Sequence, residues 1–197
     1  MALPVREHWW LERGFSMTPQ RLHQMQIIYS QTADRLMLRV STQDRQEFRF
    51  WFSRRFTKRL WPGLSQALNR QVQPEATHSP QARAAMVDLM HQNAISQSDF
   101  NTRYDNQVQT VPMPEPLLVT KARLTPVKSG ILILSLYPET GPGIELALDS
   151  NLLHALCKLL QDSLPQTDWD LKLQFAESMA DYGLTSTSSS DTNWKLH

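Results

Sequence analysis

Cysteine, glycine and long apolar runs are all scarce in this sequence, and each scarcity excludes a kind of structure. One cysteine in 197 residues excludes an internal disulfide. The six glycines form no Gly-rich loop of the kind that holds phosphate groups. No apolar run approaches the roughly 20 residues that an α-helix needs to cross a bilayer. We therefore expect no membrane span and no cofactor.

The composition that remains is typical of a soluble globular protein, because 41% of the residues are hydrophobic and 20% are charged. The first 15 residues carry Arg6, Glu7, Glu12 and Arg13, where a secretory signal would need an apolar stretch. We therefore expect a cytoplasmic location.

Charge is divided unevenly between the two halves of the chain. Residues 1–73 hold 12 Arg and Lys against 5 Asp and Glu, whereas residues 74–197 hold 8 against 14. Two interpretations stay open at this point. The halves could attract each other, within the fold or across a dimer, or the basic half could face an acidic partner.

Three segments in the basic half have the pattern of a β-meander. The segment 24–31 is a first strand, and the segments 35–41 and 47–52 alternate apolar and polar residues with the period of half-buried antiparallel strands. Ser53 is a good helix N-cap, because its hydroxyl can accept a hydrogen bond from a free amide of the first turn. The helix that follows repeats apolar residues every four positions, at Phe56, Leu60, Leu64 and Leu68.

The same pattern returns in the second half of the chain. Residues 35–68 align without a gap with residues 131–164, so that Leu60 falls on Leu156 and the cap Ser53 falls on Asp149. The sequence therefore predicts an internal duplication. We expect an α+β fold of two pseudo-symmetric antiparallel strand–strand–strand–helix repeats, joined by a helical linker.

The rest of the chain is expected to connect and flank these repeats. Pro80 opens a linker helix with an apolar stripe through Met86, Val87 and Met90, and residues 107–116 form a short strand. The alternation at 168–175 predicts an extra strand, and the polar, low-complexity end predicts disorder. The predicted parts are an irregular N-terminal segment (1–19), a basic repeat 1 (20–73), the linker (74–116), an acidic repeat 2 with the extra strand (117–175) and the tail (176–197).

The residues that usually carry chemistry stand in no catalytic or metal-binding pattern. The six histidines lack ligand spacing, and His91 and His154 are expected on helix surfaces. Cys157 lies in a leucine-rich helix without a neighbour that would lower its pKa, so we expect a buried and inert thiol. We therefore expect no enzymatic activity and no metal site.

The stretch Trp61-Pro62-Gly63 interrupts the first helical pattern. Proline removes one intrahelical hydrogen bond and clashes with the preceding turn. We expect a kink or a split into two short helices, with Trp61 turned onto a neighbouring element.

Repeat 1 differs from repeat 2 in its basic residues, which the fold itself does not require. Arg39, Arg49 and Trp51 share the strand face opposite the phenylalanines, and such a face suits single-stranded nucleic acid. Alternatively, this face packs on repeat 2, where Arg49 would meet an acidic residue. Two further arginines open the helix, where the dipole disfavours cations. The candidate contact residues are Arg39, Arg49, Trp51, Arg54, Arg55, Lys58 and Arg59.

This duplicated meander-plus-helix plan is similar in outline to Pur-alpha-like and Whirly-type single-strand binders, a resemblance of architecture without a shared motif. Two functions are expected. The first is a non-enzymatic protein-interaction or assembly module, whose partner is another protein or itself. The alternative is a single-stranded nucleic-acid-binding protein that uses the basic Arg/Trp face of repeat 1.

Overall fold

The computed structural model describes residues 19–71, 80–100, 102–105, 115–127, 130–175 and 194–195. Most of the predicted N-terminal segment, of the predicted strand at 107–116 and of the predicted disordered tail lies outside these residues. The strands are β1 (Gln20–Ser30), β2 (Arg35–Thr42), β3 (Glu47–Phe52), β4 (Leu117–Pro126), β5 (Leu132–Pro138), β6 (Ile144–Leu148) and β7 (Trp194–Lys195). The helices are α1 (Arg54–Asn69), α2 (Pro80–Gln97) and α3 (Ser150–Ser163), followed by a 3₁₀ turn at Leu164–Gln166.

The protein is α+β, with a mixed sheet of six long strands. β1, β2 and β3 form a first antiparallel meander, and β4, β5 and β6 form a second. Two short parallel pairings join the meanders: β1 meets β6 at Arg21–Ala147, and β3 meets β4 at Trp51–Leu118. The six strands therefore close into a ring in the order β3-β2-β1-β6-β5-β4.

The alternation in the sequence determines which side of each meander faces the core. Leu36, Leu38 and Val40 have no exposed surface, while the residues between them are half-buried. The inward residues of both meanders and of the helices belong to one hydrophobic cluster, so the two halves share a single core. Burial of such side chains is the main favourable contribution to folding.

The tight turns at the β2–β3 and β5–β6 connections each contain a residue with positive φ. Arg45 has a φ of 54°, and Gly141, the aligned position in the second meander, has a φ of 97°. Glycine adopts such angles without the steric cost that a Cβ brings. The β2–β3 turn therefore places an arginine in the kind of conformation for which the β5–β6 turn uses a glycine.

Both predicted N-caps are present. The Ser53 hydroxyl accepts a hydrogen bond from the Phe56 amide at 3.2 Å, and the Asp149 carboxylate accepts one from the Leu152 amide at 2.9 Å. Each cap satisfies one amide that the first helical turn leaves free. The caps therefore explain why α1 and α3 start directly after β3 and β6.

The predicted split of the first helix does not occur, because α1 runs through Pro62 without a break. Packing outweighs the lost hydrogen bond. Trp61 is 3% exposed and stacks on Phe175, with 5.1 Å between the ring centroids. A Cβ at Gly63 would lie 2.7 Å from a methyl carbon of Leu124, so this glycine lets the helix approach β4 closely.

Each helix packs across the opposite meander. α1 follows the first meander and contacts β4 of the second, while α3 follows the second meander and contacts β1 of the first. α1 and α3 also contact each other, and α2, the predicted linker helix, packs on both. None of the described helices is long and apolar enough to cross a membrane.

Residues 167–175, which we call the strap, form no strand, so the extra strand predicted at 168–175 is wrong. The alternation does bury Trp169, Leu173 and Phe175. However, the strap backbone accepts hydrogen bonds from side chains of α1 and α3, where a strand would pair with another strand. The Gln161 amide donates to the Leu173 carbonyl at 2.7 Å, and the Trp61 indole donates to the Gln174 carbonyl at 3.2 Å.

The tail predicted to be disordered contributes two residues to the sheet. Trp194 and Lys195 form β7, which pairs antiparallel with β4 at Leu124 and Arg123. A polar composition therefore did not predict the structure of these two positions.

Candidate interaction surface

The outer face of the first meander, opposite its core side, carries the most distinctive set of side chains. The register places four apolar residues side by side across four strands. Ile28 is opposite Met37, Met37 is opposite Trp51, and Trp51 is opposite Leu118. We call this set the apolar row. Its ends are exposed, Ile28 by 40% and Leu118 by 38%, and its two central residues are half-buried.

The corresponding row of the second meander, which contains the aligned residues Ile133 and Ala147, has a different character. There Thr125 is opposite Ile133, Ile133 is opposite Ala147, and Ala147 is opposite Arg21. The ends of this second row are polar and exposed, and its centre holds a small alanine where the first meander has Trp51. The apolar row therefore lies on the first meander and the adjoining end of β4, and the second meander has no equivalent row.

A polar row runs beside the apolar row, and here the predicted arginines meet a carboxylate. Arg39 and Arg49 are opposite each other on β2 and β3. An Arg39 Nη2 atom lies 2.7 Å from Glu47 Oε2, and Arg49 Nε lies 3.7 Å from Glu47 Oε1. The Glu47 side chain is only 4% exposed. Arg49 thus meets an acidic residue of its own strand, whereas the packing interpretation expected one from repeat 2.

Tyr104 covers this ion pair from the segment after α2. Its hydroxyl donates to Glu47 Oε2 at 3.1 Å, and its ring centroid lies 4.5 Å from the Arg39 guanidinium carbon. Burial, followed by the negative charge of Glu47, raises the pKa of Tyr104 to about 12. The arginines are therefore part of a packed cluster that holds the segment 102–105 on the sheet.

The remaining basic candidates form a separate group on the solvent side of α1. Arg54, Arg55, Lys58 and Arg59 are all exposed. The first turn of α1 contains no acidic residue, so Ser53 alone caps it. The structure thus divides the seven candidate residues into three sets: the clustered Arg39 and Arg49, Trp51 within the apolar row, and the four cations of α1.

Several members of this surface were not identified from the sequence. Glu47 and Met37 were assigned only to strand alternation, although the hairpin register could have placed Met37 opposite Trp51. Leu118 and Tyr104 gave no signal, because their positions depend on the short β3–β4 pairing and on the path of the chain after α2.

The structure buries the cysteine and two of the histidines. Cys157 is fully buried as predicted, and burial raises the pKa of its thiol, which suits an inert role. His91 and His154 were expected on helix surfaces, but they are 8% and 2% exposed because α2 packs on α3 at these positions. Within the described ranges, no group of three or more His, Cys, Asp or Glu side chains could hold a metal ion.

Comparisons with models of known protein families, with curated proteins and with solved structures find no match to this chain.

Proposed function

We propose that this protein is a non-enzymatic assembly module that forms a two-fold dimer through the outer face of its first meander. The apolar row carries the proposal. It joins four apolar residues across four strands, and both of its ends are exposed by more than a third. Aromatic residues and methionine are enriched in protein interfaces, and Trp51 and Met37 lie at the centre of the row.

A second copy of the chain is the partner that the apolar row itself favours. In a two-fold dimer the same patch meets its own copy, so the apolar row of one protomer can pack on the apolar row of the other. Arg39 and Arg49 beside the row are paired with Glu47, which offsets their charge where the two copies meet. We therefore expect dimerisation to depend only weakly on salt.

The single-strand alternative has less support from the contacts of the outer face. Glu47 pairs with both Arg39 and Arg49, so these guanidinium groups are less available to phosphate. The exposed cations of α1 and the half-buried Trp51 remain as possible contacts. Nucleic-acid binding is therefore the second candidate function, and a direct binding measurement separates it from dimerisation.

Sedimentation equilibrium tests the proposal with two matched variants. Ile28→Glu places a charge at one end of the apolar row, and Thr125→Glu places the same charge at the exposed end of the corresponding row of the second meander. We expect wild type and Thr125→Glu to dimerise and Ile28→Glu to remain monomeric with an unchanged circular dichroism spectrum. A wild type that stays monomeric at about 100 μM, and so has a binding free energy weaker than about 5.5 kcal/mol, would overturn the proposal.

Fluorescence anisotropy with a labelled single-stranded oligonucleotide tests the alternative function, nucleic-acid binding. Saturable binding below about 100 μM that is weakened by Arg54→Ala with Arg55→Ala would favour the nucleic-acid function over the assembly function. Trp51→Ala should then weaken binding by about 1–3 kcal/mol without changing its salt dependence, since stacking is not electrostatic.

We also propose that the two halves are duplicated, pseudo-symmetric units. Support comes from the common element order, from the aligned caps at Ser53 and Asp149, and from the two parallel pairings. One residue of each pairing is aligned with a residue of the other, since Trp51, which pairs with Leu118, aligns with Ala147, which pairs with Arg21.

A strand graft tests this equivalence. Replacing residues 47–52 by the aligned sequence of residues 143–148 keeps apolar side chains on the core side, so we expect a less stable protein that still unfolds cooperatively. Replacing them by residues 144–149 shifts the register by one and turns polar side chains inward, so we expect no cooperative fold. Equal failure of both grafts would contradict the duplication.

A further inference from the structure

His91 and His154 form a buried pair where α2, α3 and the strap meet. Their Nδ1 atoms lie 3.0 Å apart, which is a hydrogen-bond distance. One ring must donate this bond through Nδ1–H and the other must accept it, so at least one of the two rings is a neutral imidazole with a bare Nδ1.

Gln161 of α3 lies next to the pair. Hydrogen bonding to Gln161 raises the pKa of His91, but burial has the larger effect and lowers it. Within the pair, the ring that carries hydrogen on Nδ1 donates to the bare Nδ1 of the other ring.

The pair connects three elements at one point. His91 belongs to α2 and His154 to α3, and the edge of the His91 ring packs against Phe175 of the strap, with 5.1 Å between centroids. Phe175 also stacks on Trp61 of α1, and Gln161 of α3 holds the strap backbone at Leu173. A change at the two rings therefore affects the packing of the strap and of all three helices.

We propose that acid opens this junction: protonation of the His91–His154 pair releases α2 and the strap from α3. A proton added at the accepting Nδ1 would place two N–H groups against each other at 3.0 Å and remove the hydrogen bond. A proton added at Nε2 of the donating ring would keep the hydrogen bond but bury a positive charge at the junction. Both changes make the closed junction less favourable.

The charged groups around the pair do not compensate for this loss. Asp88 on α2 and Asp162 on α3 favour a charged His91, whereas Lys158 on α3 opposes it. Asp162 is already paired with Lys158 at 2.7 Å. The strap contributes Phe175, and α1 contributes Trp61 behind it, and neither side chain titrates.

Burial accordingly lowers the pKa of His91, and burial together with His91 lowers the pKa of His154 to about 4. In the open junction both histidines return toward the ordinary value of 6.5. The open form then binds more protons at every pH between these values, so closure is complete above pH 6.5 and is lost as the pH falls toward 4.

Hydrogen exchange of the full chain, measured by mass spectrometry, tests the proposal. After correction for the intrinsic effect of pH on exchange, the amides of α2 and the strap should open at least about tenfold more at pH 5.5 than at pH 7.5, while those of β2 and β3 should not change. His154→Gln should abolish most of this response. His23→Gln, which removes an exposed histidine from β1, should retain it.

Histidine NMR on the wild type gives an independent readout that does not depend on a variant's ability to fold. We expect one ring to carry its proton on Nδ1 and the other on Nε2, and His154 to remain neutral at pH 6. Two histidines that titrate independently near pH 6.5, or an α2 response no larger than that of β3, would overturn the proposal. The junction lies apart from the apolar row, so its test does not depend on dimerisation.

Discussion

The two meanders agree in their core positions and differ in their outer faces. Leu38 and Leu134, which the alignment equates, have no exposed surface, and Phe50 and Leu146 are at most 1% exposed. On the other side of the same strands, Trp51 and Arg49 of the first meander stand where the second has Ala147 and Glu145. A pleated strand uses alternate residues for each face, so the core can stay constant while the outer surface changes. The half with the unusual outer face is therefore where we expect a partner.

Substitutions in the core should have the largest effect on stability, and they test whether the helices of the two halves are equivalent. Leu60→Ala and Leu156→Ala remove aligned side chains that are 0% and 1% exposed. We expect each to lower the free energy of unfolding by about 2–5 kcal/mol, because the cavity is only partly refilled. Urea denaturation measures both losses. A loss below about half a kcal/mol in either variant would show that the two helices are not docked equivalently.

The next largest loss of stability is expected on the outer face of the first meander, where the two meanders differ. Glu47→Gln leaves Arg39 and Arg49 without their shared carboxylate, and Tyr104 without a charged acceptor. We expect a loss of about 1–3 kcal/mol by urea denaturation.

Glu145→Gln is the matched control on the second meander. Glu145 is half-buried and accepts one hydrogen bond, from the Ser135 hydroxyl at 3.2 Å. Its replacement should change the free energy of unfolding by less than about half a kcal/mol. Similar losses in the two variants would show that the Glu47 cluster contributes nothing special.

The helix caps should behave alike in both halves. Ser53→Ala and Asp149→Ala each remove the acceptor for one amide of the first turn, and each should cost about 1 kcal/mol in thermal or urea unfolding. Asn151→Ala, an exposed change within the first turn of α3, serves as the control and should have almost no effect. If only one cap matters, the two helix starts are energetically different.

The smallest expected effect concerns the two turns. Arg45→Gly should raise the free energy of unfolding by up to about 1 kcal/mol, because a glycine adopts the positive φ of that site without strain. Gly141→Ala should lower it by about 1 kcal/mol or slightly more for the opposite reason. Effects of the same sign would indicate that the two turns are not equivalent.

Local features of the fold were predictable, because their causes lie within a few residues. Strand alternation, the caps at Ser53 and Asp149 and the helix that begins at Pro80 all follow from spacing and side-chain chemistry. The closure of the ring was not predicted, since the parallel pairings are short and leave no periodic pattern. The strap shows the same limit: its alternation correctly predicted burial, but it could not indicate whether a strand was available to pair with it.

The candidate surface was predictable to a smaller extent. The shared face of Arg39, Arg49 and Trp51 follows from period 2, whereas the pairing of both arginines with Glu47 depends on side-chain conformations. The burial of His91 and His154 depends on how α2 docks on α3, which no local pattern encodes.

The ring has a consequence for how a newly synthesised chain reaches its final form. Each meander pairs neighbours in sequence and can form early, whereas the β1–β6 pairing joins residues from opposite ends of the sheet's sequence. On the ribosome, β1 therefore has no β6 to pair with until residues 144–148 of the 197-residue chain have emerged. An unpaired strand edge is a site of misassociation between chains. We expect chains that stop before β6 to aggregate, and the intact chain to be most vulnerable in the interval before β6 docks on β1.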